Sequence, residues 1–235
     1  MFIRQRRTFL FAMAAAVVAV LCCGCSDNGI GGAFVIARNG GNNDCGKDGT
    51  AGSCKTVEIG TQIWMAENLN REIGNSWCYD NKNYNCDIYG RLYDWSTAMG
   101  ISSSYNSSKW GEDDVKHQGI CPSGWHLPSK ADWDILVTYA GGYDKAGKKL
   151  KSAYGWYGNG DGTDDYGFSA LPGGNRGSDG NFDNAGNRGS WWTATEGGGN
   201  NAYYRLMRYD GDYVLNYYGN ESFGCSVRCV KDVVR

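Results

Sequence analysis

Few side chains in this sequence could do chemistry, and their spacing argues against most of it. There are two histidines, His117 and His126. Neither belongs to an HExxH, HxH or GxSxG pattern, so metal-assisted and serine-type hydrolysis find no nominated residues. His126 sits inside "CPSGWHLPSKADWDIL" (Cys121 to Leu136), between Trp125 and Leu127, and reads as a structural histidine in a bend. The 25 acidic residues contain no spacing that singles out a pair for glycoside cleavage. "NGDGTDDYG" (Asn159 to Gly167) sets Asp161, Asp164 and Asp165 among glycines. Oxygen-rich loops of this kind bind Ca²⁺, but EF-hand spacing and its bidentate Glu are missing. A structural Ca²⁺ there competes with a solvated turn, and no other metal or cofactor is called for.

The cysteines say more. Beyond Cys25 stand Cys45, Cys54, Cys78, Cys86, Cys121, Cys225 and Cys229. No CxxC occurs among them, so disulfides rather than zinc knuckles are expected, with one thiol left over. The N-terminus supplies the compartment that disulfides need. Arg4, Arg6 and Arg7 precede an apolar run, Thr8 to Leu21, too short for an ordinary membrane span. Residues 1–24 read as a signal peptide, and Gly24-Cys25 resembles a bacterial lipobox with Cys22 where Leu is usual. Cys25 is the expected lipid acceptor, against plain signal-peptidase cleavage. The expected place is the cell envelope, lipid-anchored at the outer membrane or cell surface, and otherwise secreted.

Net charge is −2, which makes no electrostatic case for nucleic acid or an anionic membrane. Any membrane contact would run through the lipid anchor. Gly (36), Tyr (16) and Trp (9) are abundant, which suits a loop-rich fold around a small aromatic core.

These residues need elements to position them. Residues 25–54, rich in Gly, Asn, Asp and Ser, read as a lipidated tether that Cys45 and Cys54 could clip into a small loop. The domain then spans 55–232. "TVEIGTQIWMAENL" reads as a hairpin around Gly60-Thr61. Leu92, Trp95 and Met99 fall at helical spacing before Gly100. Ser129 and Asp132 form a capping pattern before Trp133, Leu136, Val137 and Ala140, one apolar face that ends at Gly141-Gly142. A further short helix is expected at Lys145 to Ser152, with Leu150 inward.

The C-terminal third reads as β-structure, closing with one strand over Phe223 to Asp232. Asp210-Gly211 is a type I′ hairpin signal between two alternating runs. That register puts Tyr204, Leu206, Arg208, Tyr213, Leu215 and Tyr217 on one face, the expected core face. Tyr203, Arg205, Tyr209, Asn216 and Tyr218 share the more polar face. Trp191-Trp192, in a strand, would offer one outward ring.

The ordered motifs "IGTQIWMAENL", "CYDNKNYNCDIYGRLYDW", "GICPSGWHLPSKADWD", "GTDDYGFSALPGG", "WWTATE" and "SVRCVKD" resemble the Fibrobacter succinogenes major paralogous domain, over roughly Lys55 to Asp232. "GWHLPSKADWD" with "SVRCVKD" is more distantly similar to formylglycine-generating enzymes. The resemblance implies an α+β, C-type-lectin-like fold: short helices, small irregular antiparallel sheets, much loop, and first and last elements tied together. It implies bridges Cys78–Cys86 and Cys121–Cys229, with Cys225 as the odd thiol.

The function expected is non-catalytic: a surface-anchored domain binding plant polysaccharide or another envelope component. Tyr203, Arg205, Tyr209, Asn216 and Tyr218 would offer stacking faces and donors for sugar hydroxyls. The alternatives are a purely structural envelope protein and a residual formylglycine-generating-type oxidase. The oxidase would need Cys225 and Cys229 reduced to hold copper.

Overall fold

Alternation around Gly60 builds the first hairpin. β1 (Thr56–Ile59) and β2 (Gln62–Met65) pair antiparallel with Ile59 opposite Gln62, so Gly60 and Thr61 are the whole turn. Gly60 has φ +62°, and a Cβ there would strike the Tyr139 ring. The structure is a computed structural model that describes residues 43–111 and 116–232. The signal peptide, Cys25, the tether up to residue 42 and part of the polar loop that follows Gly111 lie outside the described residues.

The end of the chain returns to this hairpin. Val230 of β12 (Val230–Lys231) faces Trp64 on one side and His126 of β5 (Trp125–His126) on the other. The result is a four-stranded sheet in the order β1-β2-β12-β5. Cys121–Cys229 locks it across 108 residues, a closure worth about 4–5 kcal/mol on the chain-entropy estimate. Cys78–Cys86 and Cys45–Cys54 complete three bridges, and Cys225 is a free, buried thiol.

The larger sheet is organised on β8 (Arg188–Gly198). On one side run β9 (Asn201–Arg208) and β10 (Leu215–Asn220). On the other side β11 (Cys225–Ser226) runs parallel to β8, followed by β4 (Leu92–Tyr93) and β3 (Ser76–Trp77). β6 (Gly173–Arg176) pairs with both β8 and β7 (Phe182–Ala185). The expected single closing strand is thus two short ones in different sheets. Between them Arg228 turns inward and is fully buried, giving Asn68 Oδ1 hydrogen bonds of 2.9 and 2.7 Å and stacking on Phe168.

Four short helices occur among the described residues. α1 (Asn83–Tyr89) starts inside the loop closed by Cys78–Cys86 and carries Cys86. α2 (Trp95–Met99) is capped by Asp94 and ended by Gly100 in the left-handed region. It is shorter than its apolar spacing suggests, because Leu92 belongs to β4. α3 (Lys130–Tyr139) carries the expected Ser129–Asp132 capping box, and Trp133, Leu136, Val137 and Ala140 are buried. α4 (Ala146–Leu150) turns Leu150 inward. The fold is α+β, dominated by short strands.

Indoles replace the scarce aliphatics on both sides of β8. Trp191 packs with Trp64, Trp133, Phe168 and Met207, and Trp192 with Tyr93, Trp95 and Trp125. Both are fully buried, which corrects the expectation of an outward ring: β8 is covered on both faces. Their N–H groups find acceptors, Asn68 Oδ1 at 2.8 Å and Tyr93 O at 2.7 Å.

Two further expectations change. Residues 43–54 are not free tether. Asn43 and Cys45 are buried, and Asn70 N donates to Cys45 O at 2.8 Å. The β9–β10 register is the expected one, Tyr203 opposite Tyr218 and Arg205 opposite Asn216. The tight turn is not present, since residues 209–214 lie outside the paired strands. Lys151 Nζ donates to Arg208 O (3.2 Å) and Gly211 O (3.0 Å), so tertiary bonds take over the backbone groups there.

Candidate functional site

The site begins with register. On one face of β9 and β10, Tyr203 and Tyr218 sit opposite each other with ring centroids 6.2 Å apart, edge to face. Asn216 lies two residues from Tyr218 on the same face and is exposed. Tyr218 is 64% exposed and Tyr203 half-buried. β10 is the edge strand, so nothing among the described elements pairs beyond it.

Beside these rings opens a cleft of about 410 Å³, lined by Lys109, Lys130, Thr195, Glu196, Gly197, Gly198 and Tyr203. Lys130 Nζ stands 5.3 Å from the Tyr203 ring centroid. Gly197 brings Tyr218 to the same cleft: a Cβ there would lie 3.4 Å from Tyr218 Cβ. Stacking rings, an ammonium and a hydroxyl therefore meet at one end of the larger sheet.

Arg205 is not part of that exposed surface. It is 0% exposed, and Nη2 donates to Lys130 O (2.9 Å) and Asp134 Oδ1 (2.6 Å). Its place is under the start of α3, where it holds the turn that carries Lys130. Met207 and Val214 on the same face are buried against α3 and α4 residues. The expected core face is core only in part: Leu206 is buried and Tyr204 packs on Trp192, while Tyr217 and Arg208 stay outside, and the face with the arginine is covered as well. Alternation defines two faces but does not say which one the helices will cover. Tyr209 also leaves the site, packing edge-on against Tyr157 at 5.4 Å.

The aspartate loop is occupied by its own backbone. Asp161 Oδ1 accepts Trp156 N (2.9 Å), and Asp164 accepts Ser169 N (2.7 Å) and Ser169 Oγ (2.6 Å). Asp165 is exposed. Among the described residues no group of three His, Cys, Asp or Glu side chains could hold a metal ion.

The bend at Cys121–Leu136 is built as a corner. His126 Nδ1 is 2.7 Å from Asp232 Oδ1 and its Nε2 is 3.4 Å from Asp132 Oδ2. Burial works against the Asp132 carboxylate, but His126 and Ser129 hold it below its ordinary range. Asp232 behaves alike, with burial outweighed by Lys116 and His126. His126 faces these partners rather than an open cleft.

The profile of the Fibrobacter succinogenes major domain matches residues 57–231. The chain belongs to that family. No curated protein and no solved structure matches the chain. In this member of the family, Cys229 is bonded to Cys121, and burial pushes the Cys225 thiol up, away from the thiolate. The reduced pair that an oxidase would need is not formed.

Two features of this family member escaped sequence reasoning. A shallow groove of about 660 Å³ runs between Asp80–Lys82 and Gly180–Asp183. Asp80 and Asn81 both have φ +55° there, and their residue types, tolerant of left-handed backbone, were the available signal. The second is a pair of buried carboxylates. Glu196 accepts Trp110 N (2.7 Å) and Gly111 N (3.0 Å), whereas Glu221 is 0% exposed with no partner among the described residues on either oxygen. Burial, with the neighbouring Glu196 charge, pushes the Glu221 carboxyl up to about 7. Nothing in "GNESFG" announces this, because the burial comes from elements far away in sequence.

Proposed function

We propose that the domain is a non-catalytic binding module, held at the cell envelope by a lipid on Cys25, that recognises a polysaccharide or another envelope component. The surface is Tyr203, Tyr218 and Asn216, with Lys130 and the adjoining cleft. Arg205 serves it from below, and Tyr209 is outside it. The observation that carries the reading is the exposed Tyr218 ring set against Tyr203 at the mouth of a polar cleft. Flat rings with flanking donors suit sugar faces and hydroxyls, and tyrosine loses little conformational entropy on binding. The fold reading that goes with it is C-type-lectin-like, supported by the pairing of the last strand with the first hairpin and the Cys121–Cys229 bridge.

The test is retention of the full chain on insoluble glucan. Tyr203→Ala with Tyr218→Ala should abolish retention while thermal unfolding moves little. A parent with no affinity for glucan or envelope polysaccharide, or a double variant that binds as the parent does, overturns the proposal.

A further inference from the structure

Glu221 is the one acidic side chain whose two oxygens are both buried without a partner among the described residues. Its main chain is well used: N donates to Asn200 O (3.0 Å), and O accepts Trp95 N (2.8 Å). The side chain is therefore held in place by the backbone, not stranded by a loose loop. The sheet register then brings a second carboxylate beside it. Glu196 faces Ala202, and Ala202 faces Gly219. Two residues beyond Gly219, Glu221 stands in the turn that follows β10, where its N–H bonds Asn200 O as the next rung of the β9–β10 register. Ala202, with its small side chain, is the shared neighbour of Glu196 and Gly219, and Glu221 feels the Glu196 charge.

Burying a carboxylate without a partner, next to a like charge, costs several kcal/mol. None of the ion pairs among the described residues reaches either glutamate. A proton would neutralise Glu221 but leave its other oxygen without a donor. A cation serves both oxygens and both residues. Glu196 already accepts two backbone N–H bonds, one on each oxygen, and each oxygen has a second lone pair that can take part.

We infer that Glu196 and Glu221 form a calcium site beneath the segment that carries Trp110 and Gly111. The donors are all oxygen, which selects a hard cation. Calcium tolerates an irregular shell completed by main-chain carbonyls and water, whereas magnesium demands an octahedron and keeps more of its water. This is not the aspartate loop, where Asp161 and Asp164 already accept from Trp156 and Ser169. The site ties β8 and the turn after β10 to the segment after α2, so its role is to rigidify the end of the sheet that also carries the tyrosines. It stands whether or not those tyrosines bind a glycan.

The experiment uses the full chain stripped with a chelator, then titrated with calcium, with magnesium in parallel. Saturating calcium should raise the melting temperature by about 5 °C, and magnesium should do so less. Terbium in place of calcium should give tryptophan-sensitised emission, since Trp95 and Trp110 adjoin the two glutamates. Glu221→Gln should abolish both responses and melt higher than the stripped parent, because it removes the buried charge. Glu196→Gln supplies a second loss should the first variant fold poorly. A stripped parent with neither a calcium shift nor terbium emission overturns the assignment. So does a parent that responds equally with Glu221→Gln in place.

Discussion

Two places in this domain gather a pair of carboxylates, and they differ in how the fold answers them: the corner pair stays partly exposed, the glutamate pair is buried. At the corner, Asp132 and Asp232 flank His126, and Ser129 and Lys116 donate to the same two oxygens that the imidazole faces, Asp132 Oδ2 and Asp232 Oδ1. Under the segment at Trp110, Glu196 has two backbone donors and Glu221 has none. The corner's carboxylates each face a protein cation or hydroxyl on one oxygen and stay partly open to solvent, so their polar groups are answered as architecture. The glutamate pair is open in the sense that the protein supplies only part of the shell. Charged residues buried together do not by themselves mark a site. What marks one is a lone pair that the fold has not answered.

The sharpest way to break this comparison is to open the corner. Trp133 has no partner on its indole nitrogen and packs 5.1 Å from Trp64, 5.7 Å from Phe168 and 6.1 Å from Trp191. Trp133→Ala should cost about 3–5 kcal/mol in denaturant unfolding. A cost under about 1 kcal/mol would mean that the helix face is not the core packing it is taken for.

Removing the polar closure should cost less. Ser129→Ala takes away one half of the capping box on α3, worth about 1 kcal/mol. The same corner has a pH signature of fixed sign. Asp132 and Asp232 are held below their ordinary 3.8 in the folded state. Their contribution to stability is present above that value and fades as pH falls through the lower folded one. Asp132→Asn should flatten this acid loss in a melting-temperature profile. An unchanged profile would remove Asp132 from the closure.

The smallest effect belongs to the tyrosine face. Tyr218→Ala should change stability by no more than about 0.5 kcal/mol, as for an exposed residue, measured beside the glucan retention of the same protein. A loss of several kcal/mol would place that ring in the core and turn the exposed face into architecture as well.

Local signals were legible where the energetics are local. Gly60-Thr61 needs only its own backbone conformation to turn the hairpin, and Ser129 with Asp132 needs only three residues to cap α3. The resemblance to the family supplied the bridges Cys78–Cys86 and Cys121–Cys229. Arg205 was misjudged because a charged side chain on an alternating strand reads as outward. Its inward course depends on Asp134 and the Lys130 carbonyl, some seventy residues earlier. The Asp210-Gly211 signal was right about register and wrong about the turn, since Lys151 and the α4 region draw that backbone away.

The sequence by itself determined the periodicities, the caps, the hairpin registers and a family membership that extends over 57–231. Each of these follows from interactions within about ten residues, or from a pattern read as a whole. The tertiary structure decided which face of each strand was covered, why Trp191 and Trp192 both vanish from the surface, and which aspartates were already spent on backbone. It alone placed Glu221 beside Glu196. Desolvation is a property of everything packed around a group, and the layers around Glu221 come from α2, β8 and β10, which meet only in the folded chain.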